Sequence, residues 1–186
     1  MKIERTEISG LWILESPIYD DNRGSFKEWF KSDSSTEALG DNFNIKQANT
    51  SLSRKGAIRG VHYSLAQAKQ NKIVSCSHGS ITDIVTDLRL NSPTFGKSKY
   101  VYLSGKDGKS LVISAGLGHC FVALEDFTVV TYLLTSEYDP KLEFGVNPFD
   151  SDLELELDSE NVIVSEKDRN APSLKELIER GLLPKN

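Results

Sequence analysis

The chain has little of what most often announces a function. Its 186 residues include two cysteines, three histidines and one methionine. Cys76 and Cys120 stand far apart with no CxxC spacing, and no histidines follow HxH or HExxH, so no bound metal is expected. Both thiols read as reduced core residues, and thiols this few point to the cytoplasm. No apolar run approaches the roughly 18 residues of a transmembrane helix. The amino terminus, MKIERTEISGLWILE, carries charges where a secretory leader would be apolar. An excess of positive charge is missing too. Lys plus Arg number 22 against 27 Asp plus Glu, a net charge of -5, so neither nucleic acid nor an anionic membrane is an expected partner. Any phosphate site must therefore be local. Repeats, low-complexity tracts and linkers are also lacking, and the length predicts one domain spanning 1–186.

What is there reads as β structure. From residue 10 to about 135, short runs rich in β-branched and aromatic residues alternate with Gly, Ser, Asn and Asp, the grammar of an all-β sandwich or barrel. The clearest strands are 72–76, 80–88, 98–103, 109–114, 119–124 and 127–135. In the second of these, the two-residue period puts Asp83 and Asp87 on one face with Ile81 and Val85. That face is either the exposed side of a sheet or an interior holding a polar site. A short helix is expected at Ser35 to Leu39, ended by Gly40. Near the carboxyl terminus, Ser173 with Glu176 makes a capping box, and Leu174, Leu177 and Ile178 form one apolar stripe before Gly181.

Candidate chemistry gathers around two of the three histidines. His78 precedes a glycine and reads as an exposed turn residue, whereas His62 and His119 lie among apolar strand residues in RGVHYS and AGLGHCF. Each is either a hydrogen-bonded core group or a functional one. Polar residues alternate ahead of His62 at Gln47, Asn49, Ser51 and Ser53, followed by Arg59, and Lys72 opens the next strand. Such alternation implies a wet or ligand-filled face. Arg59 fits a phosphate fork or a surface salt bridge equally well. YDDNRGSFKEWF reads as a charged hairpin with Arg23 at its turn, then Phe26 and Glu28. Tyr132 and Tyr138 bracket a strand end, as proton donors or as half-buried packing. Asp168, in SEKDRNAP, has the look of a turn or cap residue.

Taken in order, DNRGSFKEWF, QANTSLSRKGAIRGVHYS, DIVTDLRLNSPTFGK, ISAGLGHCFVAL, TYLLTSEYDP and VSEKDRNAP give the chain a resemblance to the dTDP-4-dehydrorhamnose 3,5-epimerases, from about residue 8 to residue 184. The resemblance implies a cupin-like jelly-roll, a double-stranded β-helix barrel with a few short helices. Its core would run over about 45–157 and its helical tail over about 173–181. It implies a cofactor-free homodimer that exchanges strands and acts on a dTDP-sugar in dTDP-L-rhamnose synthesis. By the same resemblance His62 is the base, Asp168 its dyad partner, Lys72 the group on the enolate oxygen and Tyr132 the opposite proton donor. Arg23, Phe26, Glu28, Gln47, Asn49, Arg59, His119, Tyr138 and Glu143 fall on pocket positions. Ser64 stands where many members have glutamine, and Cys120 where a smaller residue is usual.

The chemistry asks for the same residue types. Hydrogens at C3 and C5 flank the 4-ketone, so removing either gives an enolate, and so weak a carbon acid needs a positioned base. Histidine fits, a carboxylate on its other nitrogen fixes the tautomer, and a lysine answers the developing oxyanion. Inversion requires the proton to return from the other face. Two rivals share these residues: an epimerase acting at C3 or C5 alone, and a noncatalytic cupin that binds a sugar nucleotide.

Overall fold

The computed structural model describes residues 1–32, 44–65, 69–157 and 162–185; the helix expected at Ser35 to Leu39 lies outside them. In chain order the strands are β1 (Lys2–Arg5), β2 (Leu11–Glu15), β3 (Ile18–Asp21), β4 (Gly24–Lys27), β5 (Gln47–Ser53), β6 (Ala57–Ser64) and β7 (Lys72–His78). There follow β8 (Ser80–Asp87), β9 (Ser98–Ser104), β10 (Lys109–Ile113), β11 (Leu117–Ala123), β12 (Thr128–Leu134), β13 (Glu143–Gly145) and β14 (Ile163–Val164). Two short helices close the chain, α1 (Glu166–Arg169) and α2 (Leu174–Glu179). The strands read from the sequence appear as β7 to β12, with ends moved by a residue or two. Among the described residues no helix is long and apolar enough to cross a membrane.

Sheet one runs β1-β2-β10-β7-β12-β5, and sheet two runs β13-β6-β11-β8-β9 with β14 added in parallel to β6. β3 and β4 make a separate hairpin. Between the sheets lies a core drawn from both, with Val74, Leu111 and Val130 meeting Ile81, Val85 and Phe121. Sheet two is apolar on its outer side as well. Ile84, Leu88 and Cys120 pack there against Leu174, Leu177 and Leu183 of the tail. The capping box at Ser173 and Glu176 starts α2 as expected. Leu174 and Leu177 are buried, each burial contributing about 1.5–3 kcal/mol, while Ile178 is 42% exposed and drops out of the expected stripe. Sheet two is thus covered on its inner face by sheet one and on its outer face by the tail, so β8 is buried on two sides. Of the two readings of its carboxylate face, the polar interior is the one found: Asp83 and Asp87 are both fully buried.

The expected closed barrel is corrected to an open sandwich of jelly-roll type. Among the described residues no ladder joins an edge of one sheet to an edge of the other. Side-chain hydrogen bonds, not a backbone ladder, link β6 to β5. Arg59 of β6 donates from Nε to Ser53 Oγ at 3.1 Å and from a terminal nitrogen to the Leu52 carbonyl of β5 at 3.1 Å. At this end the sheets hold polar side chains and a cavity in place of backbone pairing.

Candidate active site

A break in strand pairing brings the first two residues together. Arg59 and His62 lie three apart on β6, and in an unbroken strand they would face opposite ways. On β11, however, His119 pairs with His62 and Phe121 with Arg59, so two residues of β6 oppose Cys120 alone. This β-bulge turns Arg59 and His62 to the same side. It is built on Gly60, whose φ is +126° and where a Cβ would collide with the His119 carbonyl and the Cα of Cys120.

Asp168 reaches His62 from 106 residues away, and the two meet at 2.6 Å between Oδ1 and Nε2. The parallel pairing of β14 with Ala57 and Ile58 lays the chain along β6. Ser165 then caps α1, its hydroxyl accepting from the Asp168 N–H. Asp168 is therefore not an exposed cap but a buried member of the dyad, its side chain 9% exposed. Burial pushes its carboxyl up, but hydrogen bonds with His62, Ser165 and the Gly60 backbone outweigh that, and the net shift is downward. An ionised carboxylate only accepts, so Nε2 of His62 is the donor in this pair, and in the neutral ring the lone pair is on Nδ1.

Sheet one supplies the facing wall. Tyr132 pairs with Asn49 of β5 and Val74 of β7, and Leu134 pairs with Gln47 and Lys72, so these side chains share the inner face. Lys72 is only 8% exposed, and its ammonium has no hydrogen bond or ion pair among the described residues. Burial lowers its pKa, against the opposite pull of Glu143 and Asp83. Gln47 donates to Asn49 Oδ1 at 2.9 Å and accepts the Tyr138 N–H at 2.8 Å, which fixes Tyr138 at the cavity mouth. His119 is a buried ring bonded through Nε2 to Asp83 Oδ2 at 2.8 Å.

Together these groups line one cavity of about 590 Å³, the size of a site for a small organic ligand. It takes in His62, Asp168, Lys72, Tyr132, Gln47, Asn49, Arg59, His119, Tyr138 and Glu143. Among the described residues Arg59 has no carboxylate partner, which favours the anion fork over the surface salt bridge. Arg23, Phe26 and Glu28 are not brought there. Arg23 pairs with Asp21 on the hairpin, Glu28 pairs with Lys31, and Phe26 is 63% exposed. The sequence reading passed over Gln70, Phe121 and Lys167, which also line the cavity. For Phe121 the signal was present, since it follows His119 by two residues on one strand. Gln70 likewise precedes Lys72 by two.

Comparison with known proteins agrees with this geometry. Residues 5–176 match the family described as dTDP-4-dehydrorhamnose 3,5-epimerase. The dTDP-4-dehydrorhamnose 3,5-epimerase of Mycolicibacterium smegmatis is 41% identical over 184 residues, 99% of this chain and 91% of that protein. The dTDP-4-dehydro-6-deoxyglucose 3-epimerase of Streptomyces bikiniensis is 38% identical over 178 residues, 95% of this chain and 91% of that one. Among solved structures, a 4-keto-6-deoxy sugar epimerase from the novobiocin gene cluster of Streptomyces spheroides superposes with a TM-score of 0.95 at 34% identity, covering 100% of this chain and 93% of the other. Fold, cavity and relatives together define an isomerase. The chain belongs to the dTDP-4-dehydrorhamnose 3,5-epimerase family.

Proposed function

We propose that the protein inverts C3 and C5 of dTDP-4-dehydro-6-deoxy-D-glucose, giving dTDP-4-dehydro-L-rhamnose through enolate intermediates. The observation that carries this reading is one cavity with an imidazole on one wall and a phenol on the other, His62 from sheet two and Tyr132 from sheet one. Nδ1 of His62 removes the proton beside the ketone, and Asp168 holds the ring in the tautomer that allows it. Lys72 stabilises the enolate oxygen, a task for which a buried lysine with no bond to another described residue is preorganised. Tyr132 returns a proton on the opposite face of the ring. Arg59 takes the diphosphate, while Gln47, Asn49, His119, Tyr138 and Glu143 hold the rest of the nucleotide sugar. Arg23, Phe26 and Glu28 complete the cavity of a second copy, in a homodimer whose hairpins are exchanged. The exposure of Tyr19 and Phe26, whose rings lie 6.4 Å apart on that hairpin, supports a covering partner. We assign the reaction to the cytoplasm, in keeping with two buried free thiols.

A second reading, inversion at C3 alone, is favoured by the 38% identity to the Streptomyces bikiniensis 3-epimerase. Incubation with the 4-keto sugar nucleotide in deuterated water, followed by proton NMR, separates the two. Label at C3 and C5 is the expected result. Label at C3 only selects the single inversion, and binding without any label selects a noncatalytic cupin.

A further inference from the structure

Asp83 is a buried carboxylate that the reaction proposed above leaves unused. It is fully buried on β8 and does not line the cavity, so it acts on a ligand only through a neighbour. Its Oδ2 meets Nε2 of His119 at 2.8 Å, while its Oδ1 is buried without a hydrogen-bond partner. Among the described residues no lysine or arginine forms an ion pair with it. Lys72 is the opposite case, an 8% exposed lysine on the inner face of sheet one with no bonded counter-ion among the described residues. One interior therefore holds two opposite charges, neither in contact with the other. Attraction between charges falls only with the inverse of distance, so each offsets part of the cost of burying the other. At Lys72 burial pushes the pKa down, and the charges of Glu143 and Asp83 pull it back up.

Other titratable groups reach the cavity from every wall. β6 contributes Arg59 and His62, β11 His119, β12 Tyr132 with Tyr138 beyond it, β13 Glu143, and α1 Lys167 and Asp168. Arg59 and Lys167 oppose a further cation, and Asp168 is paired with His62. Glu143 bonds Gln70 and lines the cavity, where an entering ligand meets it. Asp83 lies behind the wall, next to the Cys120 thiol, which burial and the charges of Asp83 and Asp168 hold in its neutral form. We infer that Asp83 is a positioning residue for the reaction, an inference that rests on the function proposed above: it is the counter-charge that keeps Lys72 an ammonium, held by the His119 ring and not by Nζ. The separation matters chemically. A carboxylate in contact with Nζ would take the hydrogens that the enolate oxygen needs, whereas a charge set behind His119 leaves those donors free. It also widens the working range, because His62 must be neutral while Lys72 stays protonated, and Asp83 raises the upper bound.

Asp83→Asn keeps a carbonyl for the His119 N–H and discards the charge, which separates this role from a structural one. The test follows kcat against pH in the wild type and the variant. In both, Lys72 is also titrated by NMR with isotope-labelled lysine, its signal assigned through Lys72→Met. In Asp83→Asn the Lys72 titration is expected to move to lower pH, and the alkaline limb of kcat with it. Turnover at about pH 9 should fall about tenfold further than turnover at neutral pH. The acid limb, set by His62, should move less. An unmoved Lys72 titration or alkaline limb overturns the inference, as does a loss of turnover by one factor at every pH. Wild-type Lys72 already neutral at about pH 7 overturns it too, and that measurement stands even where the variant does not fold. A wild type without turnover on the 4-keto sugar nucleotide is a distinct outcome. It removes the functional reading and this inference with it, while the Lys72 titrations still show whether the two charges are coupled.

Discussion

Holding a lysine at 8% exposure without a bonded counter-ion among the described residues works against stability, because the desolvation of the ammonium is not repaid by a pair. Lys72→Met keeps the stem of the side chain and discards the charge. Turnover is expected to drop about 10²- to 10³-fold, the usual loss when one oxyanion donor is removed, while the midpoint of urea unfolding stays level or rises. A variant with full activity contradicts the role given to Lys72. Much at this scale was legible in the chain itself. Gln47, Asn49 and Ser51 alternate, and alternation on a strand assigns them to one face without any coordinates. His62 and Arg59 were harder. Three apart, they obey no strand parity, and the bulge at Gly60 that reconciles them depends on where β11 happens to pair.

Strand β8 puts two carboxylates into the interior and partners them differently. Asp83 bonds His119 beside the cavity, whereas Asp87 sits at the strand end and accepts from Arg89 at 2.7 and 2.8 Å, Ser92 at 2.5 Å and Thr94 at 2.6 Å. Burial pushes the Asp87 carboxyl up, but these donors outweigh it and the net shift is downward. The sign of the linkage follows. Stability from this cluster is fully present above the unfolded carboxylate pKa of about 3.9 and is lost as pH falls through the lower folded value. Asp87→Ala leaves Arg89 without its partner and is expected to cost about 3–5 kcal/mol in denaturant unfolding at neutral pH. Asp87→Asn should flatten the acid limb of the stability curve, and an unchanged acid limb would count against the linkage. The two faces of β8 follow from its two-residue period. That both are buried does not, because the cover on its outer side comes from Leu174 and Leu177 near the far end of the chain.

For the molecule as a whole, composition and strand spacing announced an all-β sandwich or barrel, and the choice between them rests on long-range pairing that no local pattern encodes. Arg59 links the two sheets by side-chain hydrogen bonds at the wall of a ligand cavity, where a closed barrel would have a backbone ladder. The exposed hairpin carrying Arg23 and Phe26 belongs to the same scale, since the proposed exchange would seat it in a second copy. Arg23→Ala and His62→Ala chains are each expected to be nearly inactive, and activity should reappear when the two are mixed and allowed to exchange, because one cavity of the mixed dimer regains both residues. No recovery on mixing contradicts the exchanged arrangement. The central claim is that two groups on opposite walls, His62 and Tyr132, work on the two faces of one ring. It is tested most directly by following deuterium exchange and stereochemistry together in Tyr132→Phe and His62→Ala. Tyr132→Phe should still wash deuterium into the sugar while inverting little of it, since His62 returns the label from the side it removed the proton, and His62→Ala should do neither. Exchange that persists without His62, or inversion at the wild-type rate without the Tyr132 hydroxyl, would contradict the account.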